Sequence, residues 1–134
     1  MSTNAMTVEV VSPEVVLYSG EGTMVITRTL GGGEIAFQPG HAPFLGALQE
    51  CHTRVFLVDG SVQDIAVHGG FVEVSNNKVS ILSDTAELAD SIDVERAHAA
   101  KARAEEHLRR EHDAEAVAAL ARAHARLRAA GITV

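Results

Sequence analysis

Seven histidines, one cysteine, a run of three glycines and scattered carboxylates are the residues of this 134-residue chain that could do chemistry. Gly31-Gly32-Gly33 invites comparison with a phosphate-cradling loop, but no GK[ST] follows and no helix opens behind it. A flexible β-turn is the better reading. His41, His52 and His68 are spread over strand-like and loop segments without a metal-ligand spacing, so exposed or hydrogen-bonded imidazoles are expected. His107 and His112 stand five apart, which does not align two ligands on one helical face. Cys51 has no local motif bringing a base beside it, no partner for an intramolecular disulfide, and no CxxC for zinc. Asp84 and Glu87 flank a turn and read as solvated. No catalytic constellation and no metal site emerges, and the chain is expected not to be an enzyme.

Two segments are less easily set aside. Gln38-Pro39-Gly40-His41-Ala42-Pro43-Phe44-Leu45 places two prolines around a histidine inside a strand-rich region. A rigid turn accounts for the prolines, whose φ is fixed, but not for the other residues. Ile92-Asp93-Val94-Glu95-Arg96-Ala97 sits where the composition changes. Read plainly, it is a capped helix start with Asp93 on the dipole and Arg96 in water.

The elements that must position these residues fall into two differently built segments. Up to residue 92 there are eleven acids against three bases (Arg28, Arg54 and Lys78), all five aromatics and ten of the eleven glycines. From 93 onward there are seven acids, eight bases, four histidines and fourteen alanines. The overall net charge of −7 disfavours a nucleic-acid partner. No apolar run approaches the ~20 residues that span a bilayer, and no signal peptide is visible. A lone cysteine favours a reducing, cytosolic setting. Residues 1–5 read as a disordered extension or tag remnant.

Before residue 90, short β-branched and apolar runs alternate with turn signals, the pattern of a sandwich or barrel of eight to ten short strands. Val15-Val16-Leu17-Tyr18 is expected to stop at Ser19-Gly20, with Met24-Val25-Ile26-Thr27 as a separate strand. Asp59-Gly60 between two apolar runs is a strong hairpin signal, and Asn76-Asn77-Lys78 predicts another. Beyond residue 90, Asp90 or Ser91 is expected to cap a helix beginning near Ile92 and running to about Arg110. A second helix is expected over about 114–130, ended by Gly131, with Val117, Leu120, His124 and Leu127 as its apolar stripe. The first helix offers Val94, Ala97, Ala104 and Leu108. Small residues bury little area, so the hairpin is expected to be weakly held and able to detach.

Taken in order, these motifs resemble the epsilon subunits of F-type ATP synthases, counterparts of the mitochondrial delta subunit. The resemblance covers the chain from Met6 onward. It rests on Val8-Glu9-Val10-Val11-Ser12-Pro13-Glu14, on Glu34-Ile35-Ala36-Phe37-Gln38-Pro39-Gly40-His41-Ala42-Pro43, on Val67-His68-Gly69-Gly70-Phe71-Val72-Glu73-Val74 with Val79-Ser80-Ile81-Leu82-Ser83-Asp84-Thr85-Ala86, and on the stretch from Ile92 to Arg110. Three glycines before Glu34, and Ala36 where glycine is usual, depart from the family pattern.

The resemblance implies an α+β architecture: an N-terminal flattened β-sandwich of about ten strands over 6–89, then a C-terminal antiparallel two-helix hairpin over 90–134. It implies a non-catalytic rotor subunit of the central stalk of a proton-translocating ATP synthase, peripheral on the cytoplasmic face of the bacterial plasma membrane and not inserted in it. Implied partners are the gamma subunit, the c-ring through Glu34, Gln38 and His41, and the alpha and beta subunits through the C-terminal helices, which brake ATP hydrolysis. No cofactor is required, but some members bind regulatory ATP. Ile92, Asp93, Arg96 and Ala97 match that motif, with Glu87, Arg103, Arg122 and Arg126 as its supporting residues. Arg122 and Arg126, four apart, share a helix face. The rival reading is a stand-alone β-sandwich ligand-binding module with a dimerising helical tail.

Overall fold

Three fourteen-residue strands decide the architecture of the computed structural model, which describes residues 4–134. The strands are β1 (Met6–Val11), β2 (Val16–Thr29), β3 (Gly33–Phe37), β4 (Phe44–Leu57), β5 (Val62–Ser75), β6 (Lys78–Leu82) and β7 (Ala86–Leu88). They form a single sheet in the order β1-β6-β5-β4-β2-β3, with β7 paired to β5. β1 also pairs with β2, so the sheet returns on itself as a sandwich. Among the described residues only the β1–β6 pairing is parallel.

Among the described residues seven strands stand where about ten were expected, because signals read as strand ends lie within strands. β2 runs through Ser19-Gly20, and its irregularities near Gly22 and between Ile26 and Thr29 bend the strand without ending it. β5 runs through Gly69-Gly70, whose φ values are 82° and 117°. Before that pair Ile65 and Val67 face the core; after it Val72 and Val74 do. The change from odd to even positions is what an irregular step in a strand accomplishes: the chain turns a corner and keeps its apolar side inward. At Gly70 a Cβ would meet the Leu82 carbonyl, so glycine is required there.

The core between the layers contains Val8, Val10, Val25, Phe37, Val55, Ile65, Val72 and Ile81, all fully buried. Both expected hairpins are present. Gly60 takes φ 92°, and Asp59 Oδ1 accepts from the Ser61 N–H and hydroxyl. Asn76 and Asn77 both have positive φ, as a primed turn between β5 and β6 demands. Asn77 Nδ2 donates to the Ala5 carbonyl (2.9 Å) and its Oδ1 accepts from the Gly40 N–H (3.0 Å). Of the residues expected to form a loose extension, 1–3 lie outside the described residues.

A short 3₁₀ turn (Ala89–Ser91) leads to α1 (Val94–Arg110) and α2 (Ala114–Ala129). The first helix starts later than expected. Ser91 Oγ donates to the Leu88 carbonyl, and Ile92 stays extended with its side chain against Ala66, Ala125 and Ala129. Asp93 is therefore the cap, accepting from the Arg96 N–H. Asp113 caps α2 in the same way. At the other end Gly131 (φ 87°) donates to the Arg128 carbonyl and Ile132 to that of Leu127, a Schellman closure. The stripe of α2 also differs from expectation. Val117 is exposed, and the buried face is Ala116, Ala123, Ala125, Leu127 and Ala129. α2 lies between α1 and strands β4 and β5, and its small buried alanines let it pack against neighbours on two sides.

Candidate functional site at the sandwich–hairpin junction

A cleft of about 300 Å³ opens where β7, the 3₁₀ turn, α1 and α2 converge. Its walls include Glu87 from β7, Ser91, the cap Asp93, Arg96, Ala97, Ala100 and Arg103 from α1, and Arg126 from α2. Six of the eight residues assigned to nucleotide binding thus meet: Glu87, Asp93, Arg96, Ala97, Arg103 and Arg126. Two do not. Ile92 is an apolar anchor beneath the helices, and Arg122 Nη2 donates to Glu115 (3.1 Å). Sharing a face of α2 with Arg126 does not make Arg122 follow it, because a helix face is wide and Glu115 draws the long side chain along the helix.

Charge around the cleft is unevenly matched. The Arg96 and Arg103 side chains have no ion-pair partner among the described residues, and Arg126 engages only its Nε, donating to Glu87 Oε2 at 2.7 Å. Burial works to raise the Glu87 carboxyl. The hydrogen bonds from Arg126 and His68, with their charges, outweigh it and hold the group below its ordinary value. Guanidinium donors facing an open cleft suit a ligand with several anionic oxygens.

The residues assigned to the c-ring lie at the two ends of β3. Glu34 lies near its start, 53% exposed, with Arg54 Nη2 at 3.4 Å and Arg28 Nη2 at 3.9 Å. It borders a second cleft of about 620 Å³ between the sheet and α2, together with His52, His124 and Arg128. Gln38 and His41 follow the other end of β3. There Gln38-Pro39-Gly40-His41 closes a β-turn, the His41 N–H donating to the Gln38 carbonyl with Gly40 at φ 84°. The His41 ring stands edge-on to Phe37 at 5.0 Å. Four strand steps, ~13 Å, separate Glu34 from Gln38.

One arrangement escaped the sequence reading. The His68 side chain is 2% exposed and lies between two carboxylates, Nδ1 2.7 Å from Glu50 and Nε2 2.7 Å from Glu87. The signal was available: the Asp59-Gly60 hairpin pairs Glu50 with His68 directly across β4 and β5. His52 similarly holds Asp64 at 2.6 Å. Cys51 is buried beside the Thr27 and Thr53 hydroxyls, which are its hydrogen-bond partners among the described residues. At the turn between the helices His107, Glu111 and Asp113 converge within 4.8 Å, but Asp113 is occupied in capping α2 and in pairing with His107.

Family models match the whole of this architecture. Residues 5–89 match the beta-sandwich domain of the ATP synthase delta/epsilon chain, and residues 90–131 its long alpha-helix domain. The chain belongs to the ATP synthase delta/epsilon family. An ATP synthase epsilon chain of Thermobifida fusca is 50% identical over 127 residues, covering 92% of this chain and 90% of that one. One from Streptomyces griseus is 42% identical over 125 residues, covering 93% and 94%. Among solved structures, a chain of the Euglena gracilis mitochondrial ATP synthase (OSCP/F1/c-ring, rotational state 1) superposes with a TM-score of 0.80 at 20% identity, covering 95% of this chain and 81% of that one. At that identity the likeness speaks for the fold. This epsilon-type chain is a non-catalytic subunit of an F-type ATP synthase, and the rival reading as a stand-alone binding module is not favoured. No helix of the described residues is long and apolar enough to cross a membrane.

Proposed function

We propose that this epsilon-type subunit is part of the central-stalk rotor, coupling ion flow to ATP synthesis on the cytoplasmic face of the membrane, and that its hairpin regulates ATP hydrolysis by docking on or leaving the sandwich. The observation that carries this is the composite cleft. Its walls come from the sandwich and both helices, so it exists only while the hairpin is docked. A ligand that needs the complete cleft stabilises the docked state and opposes braking. ATP suits it, with its phosphates among Arg96, Arg103 and Arg126 and its adenosine end toward Asp93 and Ala97.

The interfaces follow from what the surface leaves open. Phe71 is 56% exposed and pairs across strands with the exposed Leu82, beside Val11 and Pro13. This apolar patch is proposed to receive the gamma subunit. Glu34, near the start of β3, and Gln38 and His41, beyond its end, are proposed to meet the c-ring. The basic residues of α1 and α2 are proposed to meet acidic surface of alpha and beta when the hairpin extends.

The test is ATPase assay of the catalytic head with the full chain and with a chain ending after Asp90. The full chain inhibits and the short chain does not; equal inhibition by both removes the regulatory role. Calorimetry on the full chain tests the nucleotide. Heat on addition of ATP that is lost in Arg103→Ala supports the cleft, and no heat at millimolar ATP removes it.

A further inference from the structure

The hairpin is joined to the sandwich by a polar chain that crosses four elements: Glu50 on β4, His68 on β5, Glu87 on β7 and Arg126 on α2. Each link is 2.7 Å. A carboxylate only accepts, so satisfying Glu50 and Glu87 together takes a donor on each ring nitrogen. Imidazolium has two; neutral imidazole has one and turns a lone pair toward the other carboxylate. The ring is 2% exposed, so water does not enter between it and the carboxylates, whose outer sides are 25% and 32% exposed.

We propose that His68 is a proton-operated latch for the hairpin, a positioning residue that holds Glu87 for Arg126 while both its nitrogens are protonated and slackens it when one proton goes to solvent. The inference rests on the reading of the hairpin as a detachable regulator and adds what governs its detachment. Protonation of the ring fastens the hairpin, and loss of one of its protons releases it. Because Glu87 and Arg126 also line the composite cleft, the same proton sets how firmly that cleft is assembled.

The surroundings of His68 bear on the sign. β4 presents Glu50 and, two residues on, His52, which is held by Asp64. β7 presents Glu87. α2 presents Arg126, and also His124 and Arg128, which border the cleft that Glu50 lines. Burial, then Arg128 and Lys101, hold His124 below its ordinary imidazole value. A group depressed in the docked state favours docking as pH rises, so His124 contributes a pH dependence of its own. The latch is therefore measured with His124→Gln in place.

The experiment is hydrogen exchange of α2 backbone amides in the full-length His124→Gln chain, corrected for the intrinsic pH dependence, at about pH 6 and about pH 8. The expected result is about tenfold greater protection at the lower pH, the scale of a hydrogen bond to a charged group. Adding Glu50→Gln abolishes the difference, because the carboxamide donates to Nδ1 and leaves a neutral His68 free to donate to Glu87. Equal protection at both values in His124→Gln, or an unchanged pH difference after adding His68→Gln, overturns the latch. If α2 amides exchange only together with those of the β5 core at both values, the detachable-hairpin reading fails and the latch with it. Calorimetry with ATP on the same chain is a separate arm: absence of heat removes the nucleotide and leaves the exchange result to support or overturn the latch.

Discussion

The sandwich and the hairpin are held by different means. The sandwich buries valine, isoleucine, leucine and phenylalanine side chains from six strands in one continuous cluster. The hairpin buries alanines and one fully enclosed leucine, Leu127, and its contact with the sheet centres on Ala66, Ala125, Ala129 and Ile92. At ~25 cal/mol per Å² of apolar area, small side chains give a shallow minimum. The specificity of that contact comes from polar links, Arg126 to Glu87 above all. The sandwich is held by branched side chains, and the hairpin's contact with it by methyl groups and ion pairs.

The strongest test of that contrast is Phe37→Ala, expected to cost the sandwich ~3–5 kcal/mol and to lower the denaturant midpoint of the whole chain. Leu127→Ala, of similar chemistry, is expected to cost ~2–4 kcal/mol, read as lost α2 exchange protection while the sandwich transition stays in place. A sandwich transition that moves with Leu127→Ala would break the comparison. Next, Asp93→Ala removes the cap of α1 and is expected to cost about 1 kcal/mol of hairpin docking, seen as faster exchange in the first turn of α1. The smallest effect is electrostatic. Glu87 has its folded-state value below the ordinary 4.5, so its contribution is complete above that value and is lost as pH falls through the lower folded one. For a partly exposed pair this amounts to less than about 1 kcal/mol. α2 protection measured downward from about pH 5 in wild type and Glu87→Gln checks it, and parallel profiles would count against the link.

The parts of this molecule legible in its sequence are those set locally. Asp59-Gly60, Asn76-Asn77 and Gly131 demand positive φ or a tight turn wherever they occur, and each is found in the expected role. The change of composition near residue 90 likewise marks a change from strands to helices. What was not legible depends on distant neighbours. Ser19-Gly20 and Gly69-Gly70 resemble strand ends until the pairing partners of β2 and β5 are known. Asp90 and Ser91 were the expected caps, and Asp93 takes the role because Ile92 stays extended with its side chain against Ala66. At the site, the convergence of Glu87 with Arg126 needs the tertiary arrangement of β7 and α2. The pairing of Glu50 with His68 needed only the register of one hairpin, yet a lone histidine on a strand drew no attention to it.

The unbroken course of β2, β4 and β5 through the bends of the sheet has a mechanical meaning. In a sandwich whose layers touch only through apolar faces, a tangential force is resisted by surfaces that can slip. Here three covalent chains pass through the bends, and each is laced to its neighbours by hydrogen bonds along most of its length. Displacing one end of the sheet relative to the other must strain many ladder bonds at once, because the chains themselves cannot lengthen. Elastic stiffness of that kind persists even where side chains repack, and it lies in the sandwich and not in the hairpin.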